Sequence, residues 1–284
     1  MKKIKSNSNS QSYSFVRYEK KYVDSKKKIL LKRVILMPLY VGFIITLVCL
    51  TLFSYKKFNS IHNIELLKQQ TEENLTEQSD TANAVDFNNK AVLPKLEDLY
   101  NQNQDLAGWI SIPGTGIDYP IMYLSNDNDY YLSHDFYKEE DKNGLLVLDK
   151  RCDASGDDVN WLIHGHNMKS GDMFGELDYY SDESYYKAHP IIQLCTLTEE
   201  RDYEIIAVFK TSVSDKDNGD FPYYHYIQIA NQNLYNDYIS AAKDIALYDT
   251  GKDAVYPEKL ITLSTCEYTK VDGRFVVLGR LINE

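Results

Sequence analysis

The sequence predicts a mostly β fold, an antiparallel barrel or sandwich carrying a few helices, tethered to a membrane by one N-terminal span. Three observations predict it. From about residue 91, short runs of alternating or fully apolar residues recur between turn-rich stretches such as "SNDND", "DASGDD" and "SDKDNGD". Only two segments in that region carry a helical period, and many short strands with few helices favour a barrel or sandwich. Ahead of all of them, Val34 to Phe53 is a run of 20 residues without a charge.

Taken in order, residues 1–16 are rich in Ser, Asn, Gln and Lys, a composition that reads as disordered. Eight Lys/Arg fall between Arg17 and Arg33, so residues 1–33 form a basic tail. The run 34–53, "VILMPLYVGFIITLVCLTLF", has about the length that crosses a hydrocarbon core of roughly 30 Å at 1.5 Å per residue. Pro38 sits near its start, where a helix tolerates it best. A cleaved signal peptide would have a shorter apolar region followed by a small-residue site, but here "FSYKKFNS" follows. An uncleaved single-pass anchor is therefore expected. The basic cluster precedes the span, which places the N-terminus in the cytoplasm and everything after about residue 55 outside. Residues 54–90 are polar and read as a stalk, helical around Ile64 to Leu75.

The globular region follows, over 91–284. "LPKLEDLYNQNQDLAGWISI" gives a short helix with Leu96, Leu99 and Tyr100 on one face, ended by Gly108, and then a strand. Further strands are expected at Tyr119–Tyr123, Gly144–Leu148, Trp161–His164, Ile191–Leu197, Tyr203–Lys210, Lys259–Thr265 and Phe275–Ile282. One clear helix interrupts them, "NQNLYNDYISAAKDIALYD", with Leu234, Tyr238, Ala241, Ala242 and Ile245 at helical spacing.

Charge divides the chain the same way. Residues 1–57 hold 13 Lys/Arg against 2 Asp/Glu, which leaves 18 against 40 in residues 58–284, a net charge of −22. A region that acidic excludes nucleic-acid binding through phosphates. It favours cationic or amine-bearing partners, or simply a solvated acidic surface. Of four cysteines, Cys49 lies in the span, while Cys152, Cys195 and Cys266 lie outside, an odd number that leaves at least one free in a monomer.

Cys266 ends an apolar strand in "TLSTCEYTKVDGRFVVLGRL", eight positions ahead of Arg274. A cysteine nucleophile needs a base and a donor for the developing oxyanion. Among six histidines, His62 is in the stalk, and His134, His189 and His225 sit in loops without special context. The other two lie in "NWLIHGHNMKSGDMFGEL", where a strand ends at His164-Gly165-His166. By alternation both point the same way, so pattern alone does not choose between them. A strand-end histidine is more often a hydrogen-bonded structural residue, and H-x-H can ligate zinc. No C-x-x-C or H-x-x-x-H partner pair accompanies it, so no metal or cofactor is expected. Taken alone, Arg274 in so acidic a region reads as a surface ion pair.

The ensemble resembles the sortase family, class B most closely. Thr262-Leu263-Ser264-Thr265-Cys266 followed by Arg274 is similar to the family's T-L-x-T-C signature with an arginine on the next strand, in its class B form T-L-S-T-C. "WLIHGHNM" looks like the histidine strand, in which the G-H step carries the catalytic residue. "LAGWISIPGTGIDYPIMY", "DMFGELDYYSDESYYKAHPIIQL" and "RFVVLGRLI" extend the likeness over 93–284, as does the helix before the cysteine strand. One departure is Tyr268, where some class B members carry an acidic residue two positions after the cysteine, so a Cys–His–Asp triad through that position is not available.

The resemblance implies a sortase-like β-barrel and an extracytoplasmic cysteine transpeptidase. Cys266 would attack the carbonyl after the threonine of a C-terminal sorting motif on a secreted protein. His166 would act as acid and base, and Arg274 as oxyanion or backbone donor. Backbone N–H groups of Thr265 or Glu267 would complete the hole, Ser264 and Glu267 would flank the cleft, and Ser264, Thr265 and Glu267 together are the expected substrate-binding residues. A peptidoglycan amine would resolve the thioester. Two rivals are a papain-like or NlpC/P60-like peptidase acting on wall peptides and a non-catalytic membrane-anchored binding module with a buried Cys266. The peptidases place cysteine before histidine, whereas Cys266 follows His166 by 100 positions.

Overall fold

The computed structural model describes residues 8–76, 90–213 and 220–283. Part of the expected stalk, 77–89, and the first seven residues of the basic tail lie outside them. The chain divides into two compact units, 1–58 and 59–284.

The first unit belongs to helix α1, Ser8–Thr76, which takes in residues 8–16, expected from composition to be disordered. Within it one helical stretch, Arg17–Glu73, is long and apolar enough to cross a membrane, and none of its apolar window is buried in the protein. The end of α1, from Asn59 on, belongs to the second unit.

In the second unit, α2 (Pro94–Gln102) opens with Pro at its first turn, where the missing N–H costs nothing, and buries Leu96, Leu99 and Tyr100. It stops at Asn103, not at Gly108. Gly108 lies inside strand β1 (Leu106–Ser111) beside a register shift, and a Cβ there would come within 2.4 Å of the Cys195 carbonyl oxygen. The glycine permits close strand approach and is not a helix stop.

Seven more strands follow: β2 (Asp118–Met122), β3 (Leu146–Leu148), β4 (Asn160–His164), β5 (Ile191–Thr196), β6 (Glu200–Ser212), β7 (Leu260–Glu267) and β8 (Gly273–Asn283). They close into one barrel in the order β1-β2-β3-β4-β7-β8-β6-β5. Pairing is antiparallel except for β2–β3 and β4–β7, which run parallel. With α1 counted the chain is 40% helical, so "mostly β" describes the barrel and not the whole chain.

Ile110, Ile121, Trp161, Ile163, Ile205, Leu263, Phe275 and Val277 belong to the main core cluster. On the other face of β7, Thr262 and Ser264 are buried under the insert between β6 and β7. A short helix, α3 (Glu183–Ala188), precedes β5, and the insert carries α4 (Gln232–Asp244), capped by the Asn231 side chain, which accepts from Leu234 N–H. The Tyr238 hydroxyl lies 2.7 Å from Thr262 Oγ1, the Tyr223 hydroxyl 2.6 Å from Ser264 Oγ, and Thr262 donates to Asn160 Oδ1. These pairs satisfy hydroxyls that burial would otherwise leave at a cost of about 1–3 kcal/mol each. The buried face of α4 is Tyr235, Tyr238, Ile239 and Ala242, while the expected Leu234 and Ile245 are exposed. The face turns so that the Tyr235 ring joins Tyr238 in the core, and the aliphatic Leu234 and Ile245 stay outside.

Candidate active site

The parallel β4–β7 pair fixes the site. Parallel neighbours end at the same rim of a barrel, and an antiparallel strand begins where its partner ends. The register pairs His164 with Ser264, so two residues further on His166 comes level with Cys266. Strand β8 returns antiparallel with Arg274 directly opposite Cys266. The topology thus delivers a thiol, an imidazole and a guanidinium to one rim. The turn between β7 and β8 needs Gly273, because a Cβ would sit 2.5 Å from the Glu267 carbonyl oxygen.

The segment bearing His166 is clasped to β7 on both sides. Gly165 N–H donates to the Ser264 carbonyl at 3.2 Å, and Thr265 Oγ1 donates to the Gly165 carbonyl at 2.8 Å. Beyond it, Asn167 Nδ2 donates to the Cys266 carbonyl and to Asp178, each at 2.8 Å. The Tyr268 hydroxyl donates to the Asn167 carbonyl at 3.1 Å. The histidine segment and the cysteine strand end are therefore laced together around His166. His166 Nε2 lies 2.8 Å from the Leu132 carbonyl, at the end of a 3-10 turn, Tyr130–Leu132. A carbonyl only accepts, so Nε2 carries the proton, and in the neutral ring Nδ1 is left as the base.

His164 is differently placed. Its Nε2 lies 3.0 Å from Oδ2 of Asp149, a buried carboxylate also gripped by Arg151 through Nε and Nη2, both at 2.8 Å. Burial pushes that carboxyl up, but the guanidinium and the ring outweigh it and hold it well below the usual carboxylate range.

Cys266 is partly exposed, and its thiol makes no hydrogen bond among the described residues. The other two thiols outside the apolar run are buried and unpaired. Burial pushes Cys195 up to about 12 and Cys152 higher still. Arg274 donates only to the Gly273 and Asp272 carbonyls of its own hairpin, at 2.9 and 3.4 Å, and pairs with no carboxylate among the described residues. Arg280, by contrast, holds Glu204 at 3.1 Å and Glu258 at 3.4 Å.

The three expected substrate contacts are engaged within the protein. Ser264 is buried against Tyr223, and Thr265 holds Gly165. By strand alternation Glu267 faces away from Cys266; its carboxylate accepts from Thr269 and pairs with Lys210 at 3.3 Å. Their side chains thus make these internal contacts at the rim of the site. Asn167 stands in the sequence beside the histidine, yet nothing in its spacing announces a bond to a cysteine 99 positions away. The Leu132 acceptor is a backbone carbonyl and leaves no mark in a sequence at all.

The barrel and its sequence are similar to known proteins. The family described as the sortase domain matches residues 110–282. Sortase B of Listeria monocytogenes is 32% identical over 251 residues, covering 86% of this chain and 98% of its own length. A Staphylococcus aureus sortase B–substrate complex superposes with a TM-score of 0.69 at 25% identity, covering 81% of this chain and 99% of that one. Sortase B of Clostridium perfringens gives 0.59 at 29% identity over 66% and 99%. The chain belongs to the sortase family and is a sortase B-like cysteine transpeptidase.

Proposed function

We propose that this enzyme cleaves a C-terminal sorting motif after its threonine and joins the new carboxyl end to an amine of peptidoglycan. The observation that carries the residue assignment is the register: His166 comes level with Cys266 along a parallel pair, and Arg274 is its antiparallel partner. The similar S. aureus structure is a complex with substrate, which supports a peptide-type substrate here.

In this reading His166 Nδ1 takes the Cys266 thiol proton, the thiolate adds to the threonine carbonyl carbon, and the carbonyl π electron pair moves to oxygen. Arg274 leaves its own hairpin carbonyls and donates to that oxyanion or to the neighbouring substrate backbone. The oxyanion collapses, the C–N bond breaks, and His166 delivers its Nδ1 proton to the departing amine, leaving a thioester. An incoming ammonium loses one proton to solvent, and the free amine attacks the thioester while His166 Nδ1 takes its second proton. The C–S bond breaks, and Cys266 leaves as the thiolate. Leu132 keeps Nε2 occupied throughout, so one nitrogen performs both transfers. Orientation follows the basic tail: N-terminus in the cytoplasm, barrel outside. Tethering then holds the enzyme where both substrates meet it.

The test is turnover by the detergent-solubilised full chain of quenched peptides carrying NPxTN-like or PxTG-like motifs, with and without an amine acceptor. Cleavage that yields an amide product with the acceptor supports the reading. Product formation by the Cys266→Ala variant contradicts it.

A further inference from the structure

The last turns of α1 are part of what holds the histidine. Leu67 is fully buried in a second hydrophobic cluster with Leu96, Leu99, Tyr131, Phe136 and Leu145, and Leu132 packs at its edge. Two polar ties join the same helix to the loop 133–145. Asn63 Nδ2 donates to Asp135 Oδ2 at 3.1 Å, and Asn143 Nδ2 donates to Ser60 Oγ at 3.1 Å across a buried pair. The other oxygen of Asp135 accepts the Tyr137 and Glu139 N–H groups, both at 2.9 Å, so the residue held by Asn63 also shapes the loop. The loop is closed on itself by Asp141 N–H to the Ser133 carbonyl (3.0 Å) and bonded back onto the 3-10 turn by Leu145 N–H to the Tyr131 carbonyl (2.7 Å).

Gly144 shows how closely that loop approaches the histidine's acceptor. At φ +57° it lies in the left-handed region, and a Cβ built there would stand 2.3 Å from the Leu132 carbonyl oxygen. The acceptor of His166 is thus bounded by a loop whose two ends are tied to α1.

We propose that Ser60 and Asn63 are positioning residues for His166. By locking the loop 133–145 they fix the Leu132 carbonyl, which fixes the ring plane and keeps Nδ1 free for proton transfer. The segment that leads in from the apolar run thereby becomes part of the catalytic support. This rests on the reading of His166 as acid and base.

The experiment compares the full chain in detergent with Ser60→Ala, Asn63→Ala and the double variant. It records kcat and KM for the quenched sorting peptide that the unmodified protein cleaves fastest, the thermal midpoint, and the side-chain Nε2–H signal of His166 by 15N NMR. A loop coupled to the ring predicts a kcat loss of about three- to tenfold in the double variant, since coupling through packed networks is of that order. KM should stay within about twofold, and the Nε2–H signal should exchange faster with water. Asn63→Asp sets two carboxylates together and should cost more than Asn63→Ala. Adding Asp135→Asn should restore kcat, because the amide then donates in the reverse direction while its oxygen still serves the loop. An unchanged kcat and Nε2–H signal would overturn the proposal, as would losses that track the thermal midpoint and resist the swap. Activity retained by His166→Ala would instead sink the acid–base assignment itself.

Discussion

At the scale of single residues, exposure separates Cys266 from the two other thiols of the barrel unit, Cys152 and Cys195. A buried thiol pushed up in pKa is inert because the thiolate is the reactive species. Alkylation of the native protein with iodoacetamide should therefore modify Cys266 and spare Cys152 and Cys195, read by peptide mapping. Cys266→Ala should abolish cleavage with the melt nearly unchanged, whereas Cys152→Ala and Cys195→Ala should keep substantial activity. His166→Ala should be inactive and His164→Ala partly active, because the ring of His164 is occupied by Asp149. Arg274→Lys keeps the charge but loses the planar fork and should cost on the order of 10²- to 10³-fold in rate. Arg280→Lys should leave the rate near wild type and lower the melt, since its fork ties Glu204 and Glu258. A silent Arg274→Lys beside a crippled Arg280→Lys would reverse the two roles.

The same scale supplies a pH dependence. The folded Asp149 carboxyl lies below its unfolded value, so its stabilisation is complete above the ordinary carboxylate pKa of about 4. It is lost as pH falls below that value toward the depressed folded one. The thermal midpoint of the wild type should fall more steeply below about pH 4 than that of Asp149→Asn. Equal slopes would remove Asp149 from the acid response.

At the scale of elements, the site is a consequence of pairing. The sequence shows where the eight strands run, because apolar alternation and turn residues are local. It does not show that β4 and β7 are parallel neighbours, since the 99 residues between Asn160 and Leu260 choose the partner through tertiary packing. That pairing is what brings His166 to Cys266, so the site was legible in the sequence only through resemblance to a family. The partly misread face of α4 has a physical cause too: Tyr238 lies on the expected face, but Tyr235 counts as half polar in a pattern and yet is fully buried. The insert's polar seam makes a prediction. Thr262→Val leaves the Tyr238 hydroxyl and Asn160 Oδ1 without their partner and should destabilise by about 1–3 kcal/mol, with activity per folded molecule preserved. Chemical denaturation measures it, and a neutral substitution would mean that the seam contributes nothing.

At the scale of the whole molecule, composition already divides the chain into a basic end, an apolar run and an acidic remainder. What it conceals is that the polar segment after the run is not all spacer, since Leu67 buries itself among α2 and β1 residues. Of the described apolar residues in that stretch only Leu67 is buried, with Ile64 half-buried beside it, too short a period to announce a buried face. The proposed orientation predicts that a membrane-impermeant maleimide labels Cys266 on intact cells; labelling only after lysis would invert the topology.

The central claim, that Cys266 carries the acyl group, is met most directly by intact-mass spectrometry of the full chain mixed with a cleaved sorting peptide and quenched in acid. A covalent adduct equal to the N-terminal part of the peptide up to its threonine is expected, mapped to Cys266. It should be absent from Cys266→Ala and discharged by an added amine. An adduct on another residue, or cleavage by Cys266→Ala, would contradict it.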